Sequence, residues 1–201
     1  MRHLALLFAC ATIALTQSPL AIANPATYAL DTSHTQIMFS VERFGFSRVI
    51  GLLGGIEGEV VFDEAAPEKS SAHAAIPIAS LYTGNVERDG FLRGKFWLNA
   101  DVFPKMKFRS TSVRLLGGQR AEVQGTLSLA GVTAPVVFQA SFSRRGPDHV
   151  SKRQAVGFSA MGSLSRGAFG IKIAAPAIGD EVRFTIETVA IEQPADAVPP
   201  R

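Results

Sequence analysis

The chain has 201 residues with 20 Lys and Arg, 17 Asp and Glu, and a formal charge of +3. This small excess of basic residues is scattered rather than grouped, which argues against a nucleic-acid-binding protein. The length favours one domain with a buried hydrophobic core. The histidines show no metal-ligand spacing, and so we predict neither a metal site nor a cofactor.

The N-terminal residues have the pattern of a secretory signal peptide. A basic start precedes an apolar run, Leu4–Leu15, and Ala21-Ile22-Ala23 provides an A-x-A cleavage site. The run is shorter than the about 20 apolar residues that a membrane-spanning helix needs. We therefore predict that residues 1–23 are cleaved and that the mature chain is exported to the periplasm without a transmembrane segment. Residues 193–201 are predicted to form a flexible tail, which leaves 24–192 as the folded domain.

Alternating apolar and polar residues mark the strands of the mature chain. Such runs begin near positions 36, 56, 72, 105, 121, 136, 156 and 182, and breakers rich in Gly and Pro separate them. This alternation is typical of strands with one apolar and one solvated face. Many short strands without a competing long helix favour an antiparallel sandwich or barrel. We predict an all-β fold, and about eight such strands can close into an antiparallel barrel whose interior is either filled or holds one small ligand.

The segment from Asn85 to Ser110 follows neither the strand nor the helix pattern. It contains the chain's single Trp and four Phe, namely Phe91, Phe96, Trp97, Phe103 and Phe108. Irregular backbone normally lies at the surface, whereas rings of this size need to pack against other apolar groups. We therefore predict a loop and short helix that plug the barrel. The alternative is an ordinary loop over an ordinary core.

Two pairs of neighbouring polar residues could carry chemistry. Arg88-Asp89 is either structural, as a loop ion pair or a helix N-cap by Asp89, or a polar gate that meets a ligand head group. Ser33-His34 could suggest a nucleophile and its base, but adjacent strand residues point to opposite faces and no G-x-S-x-G motif is present. We therefore interpret Ser33-His34 as residues that make a local hydrogen bond. We predict that the protein is not an enzyme.

Seven short motifs occur in order between Tyr28 and Glu187. They are Tyr28-x-Leu30-Asp31-x-x-His34; Phe39-Ser40-Val41 with Gly45-x-Ser47-x-x-x-Gly51; Arg88-Asp89-x-x-Leu92; Phe96-x-x-x-x-x-x-Phe103-Pro104-x-x-x-Phe108-x-Ser110; Gly125-x-Leu127-x-Leu129-x-Gly131-Val132-Thr133; Arg166-x-x-Phe169-Gly170; and Ile178-Gly179-Asp180-Glu181-Val182. Each motif is weak alone. Together they resemble the YceI-like family of periplasmic lipocalin-like barrels.

The resemblance implies a lipocalin-like, eight-stranded barrel with a helical insert around an apolar tunnel. Such a tunnel would bind a long amphiphile such as a polyisoprenoid, an isoprenoid quinone or a fatty acyl lipid. The chain departs from the family pattern at Arg43-Phe44-Gly45 and at Phe91, where the family often has His. It also has Gly167-Ala168 where Ser-Asp is commoner. These departures predict a more apolar ligand or different head-group contacts.

We therefore predict a periplasmic protein that transports, stores or sequesters one long-chain apolar ligand, with a homodimer through a barrel face left open. Two alternatives also stay open: an enzyme that modifies a lipid with Asp89 or His34 as acid or base, and a filled barrel that acts through its surface in stress response or adhesion. The resemblance and the Phe-rich segments give the following predicted ligand contacts: Phe39, Val41, Arg43, Phe44, Phe46, Arg88, Asp89, Phe91, Leu92, Trp97, Phe103, Phe108, Phe138, Phe158 and Phe169.

Overall fold

The computed structural model describes residues 25–194; the predicted signal peptide, and the predicted tail from residue 195 onward, lie outside this range. Within it the chain forms ten strands and one α-helix, α1 (Val86–Arg93). The strands are β1 (Ala26–Leu30), β2 (Gln36–Arg43), β3 (Ser47–Leu53), β4 (Glu57–Phe62), β5 (Ser71–Pro77), β6 (Lys105–Gly117), β7 (Arg120–Leu129), β8 (Val132–Pro147), β9 (Gln154–Ser165) and β10 (Ile178–Glu192).

These strands form a closed eight-stranded antiparallel barrel, which confirms the predicted fold. Hydrogen bonds link them in the order β1-β4-β5-β6-β7-β8-β9-β10, and β10 pairs with β1 to close the ring. β2 continues the course of β1 along β10, and β3 pairs with β2 as β4 pairs with β1. Since β1 with β2 and β3 with β4 are two interrupted strands, the ten segments occupy eight positions around the barrel.

The connections give the barrel two different ends. The first, here named the insert end, carries the β2–β3 turn, the β7–β8 turn, the β9–β10 loop and the insert, which we define as residues 78–104. The opposite end carries the β4–β5 loop, the β6–β7 turn and the β8–β9 loop. Because neighbouring strands are antiparallel, the connections alternate between these ends along most of the chain.

The insert, rather than a strand ladder, completes the barrel wall at its own end. On the side of β3 that faces away from β2, the described residues form one isolated bridge, between Leu52 and Tyr82. Its two backbone hydrogen bonds measure 2.8 and 3.0 Å. The amide of Ile78 donates to the carbonyl of Pro104 and so joins the two ends of the insert. We refer to the Leu52–Tyr82 contact as the seam of the barrel.

Local hydrogen bonds define α1 and correct one prediction. The N-cap is Asn85, not Asp89, because the Asn85 side chain accepts a hydrogen bond of 2.8 Å from the Arg88 amide. Asp89 is inside the helix, 4% exposed, and accepts hydrogen bonds from the amide and the hydroxyl of Thr83. Arg88 donates to the hydroxyl and carbonyl of the same Thr83. Arg88 and Asp89 therefore fix the chain that enters α1 instead of pairing with each other.

A hydrophobic cluster packs each end of the barrel. The cluster at the insert end includes Ile78, Leu81, Phe169 and Ile171, all buried. At the opposite end, Phe142 and Phe158 pack against buried Tyr28 and Phe62. The ring centroid of Phe62 lies 5.3 Å from that of Phe142 and 5.5 Å from that of Phe158, which are favoured distances for aromatic pairs. Members of both clusters line the cavity described next.

Candidate ligand-binding cavity

The barrel encloses a cavity of about 600 Å³ whose walls are almost entirely apolar. It extends from Leu92 and Trp97 of the insert to Gly118 and Arg120 at the opposite end. Strand alternation builds the walls; on β8, for example, the inward residues are Val136, Phe138, Ala140 and Phe142. Pockets for drug-sized ligands occupy roughly 300–1,000 Å³. The cavity therefore has room for one molecule of that size.

Some of the predicted ligand contacts line this cavity. They are Phe39, Val41, Leu92, Trp97, Phe108, Phe138 and Phe158. The strand residues among them come from β2, β6, β8 and β9, and each lies on the apolar side of its alternating run. The fold thus brings together side chains that are far apart in the sequence, around one space. Their contact with a ligand stays a prediction.

The remaining predicted contacts do not line the cavity: Arg43, Phe44, Phe46, Arg88, Asp89, Phe91, Phe103 and Phe169. Arg43 ends β2, and Phe44 and Phe46 lie in the turn beyond the barrel wall, where Phe46 is 90% exposed. Arg88 and Asp89 are engaged with Thr83, as described above. The polar groups expected at the head of a ligand therefore serve the local structure of the insert and the turn.

The rings of the aromatic segment divide between solvent and core, so the predicted plug forms only in part. Phe91 and Phe96 are 64% and 76% exposed, whereas Trp97 lines the cavity. Phe103 packs over Gly131, where a Cβ atom would lie only 2.5 Å from the ring. Phe169 is 2% exposed within the insert-end cluster. Leu92 and Trp97 are thus the members of the predicted set through which the insert reaches the cavity.

Several wall residues were absent from the predicted contacts. Phe62, Phe142 and Phe184 line the cavity together with the predicted rings. The signal for Phe142 was present, because it follows Phe138 by four positions and shares its face. Gly162 on β9 makes room for this packing, since a Cβ atom there would lie 2.8 Å from atoms of both Phe138 and Phe184. The inward face of β8 would have identified Phe142, whereas Phe62 and Phe184 also required the inward faces of β4 and β10.

Arg166 is the most deeply buried charged residue of the cavity wall among the described residues, at 4% exposed. Its guanidinium donates four hydrogen bonds of 2.8–2.9 Å to backbone carbonyls. The acceptors are Ile171, Ile173, Ile178 and Gly179. Its carbon Cζ lies 5.7 Å from the ring centroid of Trp97, within range of a cation–π contact. Sequence reasoning placed Arg166 in a motif but not in the binding site.

The positive charge of Arg166 is not neutralised by a contacting carboxylate among residues 25–194. Asp180 is nearby, and its pKa is lowered mainly by hydrogen bonds from the Ser165 hydroxyl and the Gly167 amide; the charge of Arg166 lowers it least. An arginine held by neutral carbonyls keeps its full charge, and the apolar surroundings weaken screening by water. The insert end of the cavity therefore carries a fixed positive charge.

The opposite end of the cavity has a different polar lining. The lining at this end comes from Gly118 and Gln119 of the β6–β7 turn, from Arg120 at the start of β7, and from Glu64 and other residues of the β4–β5 loop. Arg120 is exposed, and within the described part of the chain its side chain makes no hydrogen bond or ion pair. Its charge is therefore solvated, unlike that of Arg166.

The described residues offer no group of three or more His, Cys, Asp or Glu that could hold a metal ion. His34 forms a 2.8 Å contact with Asp31, whose other carboxylate oxygen accepts a hydrogen bond from the Ser33 amide. This local arrangement after β1 agrees with the interpretation of Ser33-His34 as a structural pair. Among residues 25–194, no helix has the length and apolar character needed to cross a membrane.

Comparisons with known proteins identify the family. Residues 28–190 match the model of the YceI-like domain. A UPF0312 protein of Pseudomonas savastanoi is 36% identical over 152 residues, which cover 75% of this chain and 79% of the relative. A UPF0312 protein of Photorhabdus laumondii is 36% identical over 149 residues, covering 73% and 77% respectively.

Solved structures show the same fold. BcnA of Burkholderia cenocepacia matches 80% of this chain and 99% of its own, with a TM-score of 0.72 and 22% identity. A mutant YceI protein of Campylobacter jejuni matches 76% and 90%, with a TM-score of 0.66 and 25% identity. A polyisoprenoid-binding domain from Saccharophagus degradans matches 85% and 100%, with a TM-score of 0.64 and 14% identity.

Proposed function

The chain belongs to the YceI-like family, and on this premise we propose that its barrel binds one long-chain apolar molecule. The candidates are a polyisoprenoid, an isoprenoid quinone or a fatty acyl lipid, held in the periplasm for transport, storage or sequestration. The observation that carries this proposal is the apolar cavity of about 600 Å³ inside a closed barrel. Each methylene group moved from water into such a cavity contributes about 0.8 kcal/mol. Burial of a hydrocarbon chain therefore suffices for binding, and the protein acts as a binder rather than an enzyme.

Two further observations support the ligand class and the compartment. The fold is shared with a domain described as polyisoprenoid-binding in Saccharophagus degradans. The N-terminal residues, with an apolar run and an A-x-A site, have the pattern of an export signal. An exported carrier of a water-insoluble chain is consistent with both.

The ligand's polar head would lie at the insert end, beside Arg166. A guanidinium has five N–H donors, and four of those on Arg166 are used by backbone carbonyls. The remaining donor, on Nη2, is available to a carbonyl, hydroxyl or phosphate oxygen of the ligand. Because Trp97 lies against the same guanidinium, its fluorescence would report the arrival of a head group or of a nearby chain.

The test compares two adjacent positions on β8 that face opposite sides of the wall. Phe138 lines the cavity, whereas Val137 is 48% exposed on the outside. Phe138→Glu places a carboxylate among apolar rings and should abolish retention of a long-chain lipid. An unpaired charge buried in this way costs roughly 3–5 kcal/mol. Val137→Glu adds the same charge outside and should leave retention unchanged. Far-UV circular dichroism checks that both variants keep their strands.

Two measurements test whether the variants retain a lipid. Native mass spectrometry of protein from a periplasmic extract should show an adduct whose fragments form a prenyl or acyl series. Quenching of Trp97, the chain's single Trp, by a brominated fatty acid should occur in the wild type and in Val137→Glu but not in Phe138→Glu. An apo mass that persists after incubation with prenyl and acyl lipids would contradict the proposal and favour action through the surface.

A further inference from the structure

Three hydroxyl side chains interrupt the apolar wall in the middle section of the cavity. Among the residues of β10 that line the cavity, Thr188 alone is polar. Thr35, which is 3% exposed, lies between β1 and β2 and lines the cavity beside it. Ser110 lies on the inward face of β6, two positions after Phe108. Hydroxyl groups among apolar side chains need hydrogen-bond partners, so the bonds they already make determine what else they can bind.

The hydroxyls of Thr35 and Thr188 bond to each other and leave Thr188 with free capacity. Their Oγ1 atoms lie 2.9 Å apart, and Oγ1 of Thr35 lies 3.3 Å from the carbonyl oxygen of Val189. A hydroxyl donates one proton and accepts through two lone pairs. If Thr35 donates to Val189, Thr188 donates to Thr35 and keeps its lone pairs. If Thr35 donates to Thr188, the proton of Thr188 is free. A hydroxyl group in the cavity could bond to Thr188 in either case, because it can both donate and accept.

The hydroxyl proton of Ser110 has no acceptor among residues 25–194. Oγ of Ser110 accepts a hydrogen bond of 2.9 Å from the amide of Ala72, next to the register shift between Ser110 and Ser112. This bond uses a lone pair and leaves the proton free. A hydroxyl without an acceptor in apolar surroundings costs free energy. An oxygen atom that accepted this proton inside the cavity would therefore be stabilised there.

The strand order brings Ser110 and Thr188 to one level of the barrel, on opposite walls. β6 and β10 are four strands apart in either direction around the ring of eight. The ladders lead from Ser110 to Val182 through β7, β8 and β9, and to Glu192 through β5, β4 and β1. Paired residues climb around a barrel because its strands are tilted. The part of β10 that faces Ser110 therefore lies midway between Val182 and Glu192, next to Thr188.

Small side chains leave room between the two walls at this level. Ala140 on β8 and Ala160 on β9 pair with each other, and both line the cavity. Phe138 lies beyond them toward the insert end, and Phe158 lies beyond them toward the opposite end. The section between these rings therefore has both the hydrogen-bonding groups and the space for a polar group of the ligand.

We propose that Thr35, Ser110 and Thr188 form a second polar site in the cavity, here named the hydroxyl subsite, which binds a hydroxyl group on the ligand's chain. This inference rests on the proposed function, in which the ligand's head lies beside Arg166. Arg166 donates to the carbonyl of Gly179, and Thr188 follows Gly179 by nine residues. At roughly 3.3 Å per residue these residues span about 30 Å of strand, and less along the axis of the tilted barrel. A ligand that reaches both sites is a long chain with an oxygen group at each end, such as an ω-hydroxy fatty acid.

The experiment compares palmitic acid with ω-hydroxypalmitic acid on the full mature chain. Each acid displaces a brominated fatty acid, and the recovery of Trp97 fluorescence gives its affinity. The test variant is Ser110→Ala/Thr188→Val, which removes two hydroxyls with little change in side-chain volume. The matched control is Thr185→Val, which makes the same change on the outer face of β10. Thr188→Val alone is a milder second variant that serves if the double variant does not fold.

The wild type and the control should bind the two acids with similar affinity, because the hydroxyl subsite replaces the hydrogen bonds that the ligand hydroxyl loses on leaving water. In the test variant the affinity for ω-hydroxypalmitic acid, relative to palmitic acid, should fall at least about tenfold, since the hydroxyl is then buried without partners. An unchanged ratio in the test variant would overturn the proposal. So would a wild type that binds ω-hydroxypalmitic acid about tenfold more weakly than palmitic acid. A wild type that binds neither acid would instead contradict the proposed function, and this inference with it.

Discussion

The two ends of the barrel use their arginines in opposite ways. At the insert end, Arg166 is buried and donates to four backbone carbonyls, so its charge has a fixed position. At the opposite end, Arg120 is exposed without a partner in the described chain, and Arg145 forms a 2.7 Å ion pair with Glu64, both partly exposed. Surface pairs of this kind contribute about 0–1 kcal/mol. One end therefore depends on a buried cation for its structure, whereas the cations of the other end are solvated or in an exposed ion pair.

The largest expected effect tests this contrast directly. Arg166→Met keeps an unbranched apolar stem but removes the donors to Ile171, Ile173, Ile178 and Gly179. Carbonyls left without a partner in the interior cost free energy, so we expect the free energy of unfolding to fall by about 3 kcal/mol. Urea denaturation followed by circular dichroism measures the change.

Arg120→Met is the matched control, because it removes an arginine from the same cavity at its other end. Its free energy of unfolding should stay within about 0.5 kcal/mol of the wild type. Arg166→Lys should recover only part of the lost stability, since an ammonium cannot reproduce the planar fork of a guanidinium. Equal stability of Arg166→Met and Arg120→Met would show that the two ends do not differ in this way.

A second prediction compares the insert with the ladders around it. Asp89→Ala removes the acceptor for the Thr83 amide and hydroxyl, and it should lower the free energy of unfolding by about 2 kcal/mol. Because the insert meets β3 through one bridge, the loss should be concentrated there. Hydrogen exchange should then accelerate at Leu52 and Tyr82 more than in β7 or β8.

Asp101→Ala provides the control on the same insert. Asp101 is exposed, and its side chain makes no hydrogen bond or ion pair within the described chain. The substitution should change stability by less than about 0.5 kcal/mol and leave the exchange of Leu52 unchanged. Uniform acceleration over all strands in Asp89→Ala would mean that the seam is no weaker than the ladders.

The sequence predicted the strands because alternation survives wherever one face is buried, and the resemblance to the YceI-like family implied that they close into an eight-stranded barrel. The limits of this prediction are visible in β3, a strand that the alternation did not reveal. Ile50 and Leu52 are 58% and 41% exposed on the outer face, while Leu53 is buried on the inner one. Apolar residues therefore occupy both faces of this strand, and the period of two is lost. The strand forms by pairing with β2, which is a tertiary effect.

The cavity could be predicted in outline, but not its polar groups. Phe39 and Phe138 line it because ring-bearing positions of amphipathic strands turn inward. Arg166 follows the last residue of β9, where a charged side chain normally reaches solvent. It is buried because the chain from Ile171 to Gly179 folds over it and supplies carbonyls. Such a partner set depends on loop geometry, which local pattern does not encode.

The smallest expected effect compares an aspartate at each end. The pKa of Asp180 lies below its ordinary value because the Ser165 hydroxyl and the Gly167 amide hydrogen-bond to it; that of Asp148 is lowered mainly through Ser151. A carboxyl with a lowered folded pKa stabilises the fold above its unfolded pKa of about 3.9, and this contribution is lost as the pH falls through the folded value. Asp180 is exposed and Asp148 is partly exposed, so solvent screening keeps each contribution small.

Asp180→Asn should therefore be less stable than the wild type near about pH 7. This gap in the free energy of unfolding between variant and wild type should narrow as the pH approaches about 3. The same holds for Asp148→Asn, but the two should differ in their response to Arg166. Only the pKa of Asp180 is lowered by that guanidinium, so the Arg166→Met background should shrink the gap for Asp180→Asn and leave the gap for Asp148→Asn unchanged. Urea titrations at both pH values measure it. If the Arg166→Met background reduced the gap equally for Asp180→Asn and Asp148→Asn, Arg166 would act through global stability and not through its local field.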